Sequence, residues 1–222
     1  MTSTKPSPTQ QSSRSPLLAR AQLMQILRAC EDAGLYPTPV ETIHAVAFLA
    51  SFLSPLWGVT PLASHVLKSD DGPYYPSLQR QLDHLVGQRL VDVDEIRYRE
   101  LELGGARIAA EFSLNSKNAP AVLKLIDRIP GELEVARLFF EIAVNLQDVE
   151  AQQSDDVARM DASYSDPEIA RNRIVAFNRA AIKSNKTVES ARKFEWWDES
   201  YRLDPPAQLE MYMQLLKARA HG

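Results

Sequence analysis

The side chains that could do chemistry are few and scattered. Four histidines, His44, His65, His84 and His221, stand far apart, and none sits with cysteine or carboxylates at zinc-binding spacing. Adjacent acids occur at Asp70-Asp71 and Asp155-Asp156. Neighbouring side chains point apart, so neither pair is expected to work as an acid–base couple. The single cysteine, Cys30, follows Leu23, Ile26 and Leu27 at i, i+3, i+4 and i+7, which makes it part of a helix's packing stripe rather than a nucleophile. No GxSxG elbow, HExxH pair or kinase loop set occurs. The eight glycines never form GxGxxG or GxxxxGK[ST], so no standard phosphate-cradling loop can be built. The chain is therefore expected to be non-enzymatic, with no catalytic residue, metal ligand or cofactor. If ATP matters here, a partner binds it. A hydrolase of unrecognised type, assembled from distant residues, is the enzymatic alternative.

Charge is segregated more tellingly than catalytic groups. Between Asp148 and Glu168 there are seven acids and one base, Arg159; between Arg171 and Lys193 there are seven bases and one acid, Glu189. The basic residues Arg171, Arg173, Arg179, Lys183, Lys186, Arg192 and Lys193 either neutralise the preceding acidic run within the fold or form a face for phosphates or an acidic partner. Trp196 and Trp197, directly beyond, are candidate interface anchors, with a half-buried core role as the alternative. The formal net charge of -4 argues against a protein that coats nucleic acid with its whole surface.

The 222 residues, 45% hydrophobic, are enough for one large domain or two small ones. Residues 1–16, rich in Ser, Thr, Gln and Pro, read as a disordered tail without a signal-peptide core. The most apolar run, Ile43 to Leu53, is about half the length that spans a bilayer. With one cysteine and no membrane span, the expected location is the cytoplasm.

The elements that must position these groups follow from periodicity. A helix runs from Pro16 to Gly34, where glycine suits a left-handed stop. Thr38-Pro39-Val40-Glu41 reads as a capping box opening a helix to Leu53 that is apolar nearly all round and so belongs in the core, with His44 packed. A short helix is expected over Pro61–Leu67, then a turn Asp70-Asp71-Gly72-Pro73 and a helix from Pro76. Gly72, Pro73 and Pro76 are given a structural role, setting that helix against the buried one. Beyond Gly87 come two strands turned at Gly104-Gly105, the second alternating Ile108, Ala110, Phe112 and Leu114 with Arg107, Ala109, Glu111 and Ser113.

Further helices are expected over Pro120–Ile129 and Glu132 to about Glu150, the latter with Leu133, Ala136, Phe140, Ala143 and Gln147 near one face and Leu138, Phe139, Ile142 and Leu146 widening it. Others should start at Asp166, with Ala170, Ile174, Phe177 and Ala181 as its stripe, at Thr187, and at Asp204-Pro205. The fold class is thus mainly α: a winged-helix-like domain over 17–115 with a β-hairpin wing, followed by a helical bundle over 116–222. The third helix and the wing mix Arg80, Arg89, Arg97, Arg99 and Arg107 with Asp83, Asp92, Asp94, Glu95, Glu100, Glu102 and Glu111, a balance that suits protein contact better than base reading.

The blocks Ile43-His44-Ala45-Val46-Ala47-Phe48-Leu49, Pro61-Leu62, Gly72-Pro73-Tyr74-Tyr75-Pro76-Ser77-Leu78 and Leu82-Asp83-His84-Leu85-Val86 resemble the Panacea-type domain of bacterial antitoxin-like proteins. More closely, the chain resembles the middle components of ABC-three-component systems, which include the accessory subunit of Lamassu-type defence. Asp161–Asp166, Asn185–Ser190 and Tyr212–Leu216 extend the likeness toward residue 217. The resemblance implies a non-enzymatic subunit of an anti-phage or anti-plasmid complex, bridging an SMC-like ABC ATPase and an effector such as a nuclease, with DNA touched through the assembly and no membrane partner. The alternative is an antitoxin-like binding module or a winged-helix transcriptional regulator.

Overall fold

A computed structural model describes residues 16–59, 65–69, 72–100, 106–149, 153–167, 173–176, 185–196 and 201–221. Helix α1 (Pro16–Asp32) buries Leu23, Ile26, Leu27 and Cys30 together. Gly34, at φ +80°, stops it: Leu35 N donates to Cys30 O at 2.8 Å, closing a left-handed cap. Thr38–Pro39 form a two-residue strand, β1, rather than a capping box. Thr38 Oγ1 donates backward to Leu35 O, and α2 (Val40–Leu53) begins without a side-chain cap. Pairing with the later hairpin holds the chain extended through Pro39, a conformation its ring tolerates. Every residue of α2 is buried, as its uninterrupted apolar sequence requires. A 3-10 turn, Ser54–Leu56, ends it.

Two small antiparallel sheets surround this helix. In the first, the order is β1-β5-β4, where β4 (Val91–Glu100) and β5 (Ala106–Leu114) form the expected hairpin and β1 adds Thr38 opposite Phe112. The ladder slips between Asp94 and Arg97, with Glu95 at φ +48°, a bulge that twists this edge strand. The turn itself, with Gly104-Gly105, lies outside the described residues. In the second sheet, β3 (Gly72–Tyr74), β2 (His65–Ser69) and β6 (Arg173–Ala176) pair in the order β3-β2-β6. Residues 65–67, expected to be helical, are strand. So are residues 173–176 of the helix expected after Asp166. β2 and β6 satisfy each other's backbone, a pairing too distant in sequence for local periodicity to detect.

Between the sheets run α3 (Pro76–Gly87), α4 (Ala119–Ile126) and α5 (Glu132–Leu146), followed by α6 (Ser154–Arg159), α7 (Lys186–Arg192) and α8 (Pro205–His221). The protein is mainly α, with β6 breaking the helical run of its second half. Side chains from both sides of residue 115 join one core, from Leu23 and Phe48 to Phe139, Ile142, Leu209 and Leu216. Helix α5 buries only part of its expected apolar face. Val135, Leu138, Phe139, Ile142 and Leu146 face the core, whereas Leu133 and Phe140 are exposed. At the α1–α5 interface, Gln22 Nε2 donates to the buried Glu132 carboxylate and Gln25 Nε2 to its carbonyl, and Arg28 grips Asp127 with two bonds of 3.0 and 2.9 Å. Among the described residues, no helix is long and apolar enough to cross a membrane.

Candidate interaction site

The Ile43–Leu49 and Gly72–Leu78 blocks meet in space. His44, buried in α2, has its ring 4.9 Å from that of Tyr74 and stacks at 6.1 Å on Tyr75. Tyr75 N donates to His44 Nδ1 at 3.4 Å, which leaves Nε2 as the protonated nitrogen facing Gln79 Oε1. Gly72 and Pro73 lie in β3, packed between α2 and α6, and Pro76 opens α3. Gly72 sits at φ +106°, where an added Cβ would fall 2.5 Å from Asp155 Cγ. This block is scaffold, and its glycine is required by both dihedral and space.

A second polar cluster orients the elements that carry the charged surface. Asp161 is fully buried, and its carboxylate accepts four hydrogen bonds: from Ser163 N, Tyr164 N, Thr187 Oγ1 and Tyr212 Oη, at 2.8, 3.1, 2.8 and 2.8 Å. Burial pushes its pKa up, opposed by the bonds from Thr187, Tyr212, Tyr164 and Ser163. Thr187 opens α7 and Tyr212 lies on α8, so one side chain ties the loop after α6 to both helices. Beside it, Tyr164 Oη donates to Ser69 O, and the buried Lys68 donates to Asp166 O at 2.9 Å. Sequence reading missed Asp161. Its signal is the local Asp-x-Ser pattern of an Asx turn, in which the carboxylate accepts from the backbone two residues on.

The ends of α7 and α8, so held, build a surface cleft. Asn185 caps α7, accepting from Val188 N and donating to Phe52 O. Past α7, Trp196 pairs with Arg202 in an antiparallel bridge, and Leu203 N donates to Glu195 O at 2.8 Å. Asp204 Oδ1 then accepts from Ala207 N at 3.0 Å, the expected cap of α8. Between them lies a cleft of about 450 Å³ lined by Arg192, Glu195, Arg202, Asp204 and Gln208, with Pro55 and Leu56 from the end of α2. Arg202 pairs with Glu195, whereas no described acid pairs with Arg192.

Arg192, Lys193 and Trp196 are all exposed, Trp196 to 55%, and of the three Arg192 lines the cleft. Lys186 is drawn away: its Nζ meets Asp166 Oδ2 at 2.7 Å, the acidic and basic runs neutralising each other there. Arg173 lies in β6, its backbone opposite Lys68. Arg171, Arg179, Lys183 and Trp197 lie outside the described residues. Among those described, no group of three or more His, Cys, Asp or Glu is arranged to hold a metal. Compared with protein-family profiles, curated proteins and solved structures, the chain matches none.

Proposed function

We propose that this chain is a non-catalytic adaptor whose winged-helix-like N-terminal region uses its wing to contact protein. The observation that carries the reading is the outer end of the β4–β5 hairpin. Tyr98 and Ile108 face each other across the strands, and both are exposed together with Ile96, amid Asp94, Glu95 and Glu100. Exposed aromatic and aliphatic side chains with acidic neighbours favour a protein over a phosphate backbone. The order α1-β1-α2-α3-β4-β5, with β1 beside β5, supports a winged-helix-like arrangement into which β2 and β3 are inserted.

Joined to the resemblance of the His44 and Gly72–Pro76 blocks, this gives a cytoplasmic middle component of an ABC-three-component defence system. It would bridge an SMC-like ABC ATPase and an effector, and reach DNA through the assembly. The test is co-expression with the product of a neighbouring coiled-coil ATPase gene. A complex that survives size exclusion and is lost in Tyr98→Asp or Ile108→Asp, with folding intact by circular dichroism, is the expected result. No complex with the ATPase, or one indifferent to both substitutions, overturns it. An antitoxin-like module would instead co-purify with a single small toxin.

A further inference from the structure

Helix α5 has a second apolar seam that the fold leaves uncovered. On the side opposite Val135, Leu138 and Ile142, the positions Leu133, Arg137, Phe140 and Val144 recur at steps of four, three and four. Leu133 is 59% exposed, Phe140 39% and Val144 37%. That spacing is the a/d row of a coiled-coil heptad, not the wider stripe of a helix merely lying on its own core. The one charge in the row is already engaged, since the Arg137 guanidinium lies 5.5 Å from the centre of the Trp57 ring. Leu125 and Ile129, just before α5, are exposed as well.

The borders of the seam are unequal. Along one side, at the position after each of Leu133 and Phe140, stand Glu134 and Glu141; along the other stand Ala136 and the buried Ala143. We propose that this face of α5 docks one amphipathic helix of a partner protein, whose apolar seam is flanked by lysine or arginine. Flanking charges of this kind select the partner and its orientation in coiled coils. A second copy of the chain fits poorly. Antiparallel α5 helices would set acid row against acid row, and parallel ones would set acids against alanines. Residues 1–15 cannot supply the helix either, offering only Met1 as an apolar side chain beside their prolines. This proposal concerns a different face from the hairpin and does not depend on the identity of any ATPase.

The test displays on phage a library of four-heptad helices, with Leu, Ile or Ala at the seam and Lys, Glu or Gln at the flanks. It is selected on the full chain and counter-selected on Phe140→Glu. Recovered binders enriched in flanking lysine are expected. They should lose roughly tenfold or more in affinity for Leu133→Glu, and for Glu134→Lys combined with Glu141→Lys. Circular dichroism verifies that these surface variants stay folded. The proposal is overturned if no clone distinguishes the wild type from Phe140→Glu, or if flanking lysine is not enriched. It is equally overturned if sedimentation shows a dimer that Phe140→Glu and Leu133→Glu dissociate, since the face would then be an interface between copies.

Discussion

Tyr212 Oη donates to Asp161 Oδ2 at 2.8 Å, a bond that spans 51 positions of the chain and joins the loop after α6 to the last helix. The same hydroxyl accepts from Ala162 N at 3.2 Å. Tyr212→Phe keeps the ring and its packing but leaves a buried carboxylate oxygen and a backbone N–H short of a partner. Urea denaturation should give a loss of about 1–3 kcal/mol. A loss below the error of the fit would mean that the cluster does not hold α8.

The same carboxylate should leave a mark on stability against pH. Its folded pKa is raised above the ordinary 3.8 by burial, so the folded protein keeps the Asp161 proton where the unfolded chain has released it. The associated stability is complete below the unfolded value and is lost as pH rises through the folded one. Asp161→Asn carries no such proton. The Tm of the wild type minus that of Asp161→Asn should therefore fall as pH rises above the ordinary value of 3.8. A difference that grows with pH would reverse the sign.

Gly72 and Asp155 are coupled through space. Alanine at Gly72 meets both a φ of +106° and a contact of 2.5 Å with the Asp155 carboxyl carbon. Gly72→Ala should cost about 2–4 kcal/mol. Gly72→Ala with Asp155→Ala should be less destabilised than the sum of the single variants by about 1 kcal/mol, because the clash with Cγ and Oδ1 is removed, whereas the 2.8 Å approach to the Cβ of residue 155 and the dihedral strain remain. Strict additivity in a double-mutant cycle would rule out the contact.

Cys30 should behave as a core residue. Burial pushes its thiol up to about 12, so little thiolate forms at neutral pH. A disulfide-exchange reagent at pH 8 should modify it only after guanidinium unfolding. Rapid modification of the native protein would show that α1 opens locally.

Arg192 and Lys193 offer a limited phosphate surface, because Lys186 is already paired with Asp166. Arg192→Glu combined with Lys193→Glu should change duplex DNA affinity of the isolated chain by less than about twofold, with no change in its salt slope. A drop of tenfold with a shallower slope would establish direct phosphate contact.

Several parts of the fold were legible from local chemistry. Gly34 ended α1 because a left-handed residue is needed there, and Asp204 capped α8 because its carboxylate reaches Ala207 N. The apolar run of α2 implied burial on all sides. The second sheet was not legible, since residues 65–69 and 173–176 are strand only by virtue of each other. The cleft beside Trp196 was legible in part. Arg192, Lys193 and Trp196 stood out by type and order, while Arg202 and Asp204 joined them only through the bridge that folds the chain back.

By itself the amino-acid order determined α1, α2, α3, α7 and α8, the hairpin strands and the burial of His44 and Cys30, because each depends on residues within a turn or two. The tertiary structure alone decided which way α5 faces. Its apolar residues form two stripes, Leu133–Phe140–Val144 and Leu138–Ile142–Leu146, and sequence periodicity cannot rank them. Packing against α1 and α2 chose the second stripe, anchored by Glu132 against Gln22 and Gln25. That choice left the first stripe facing water, where a partner can reach it.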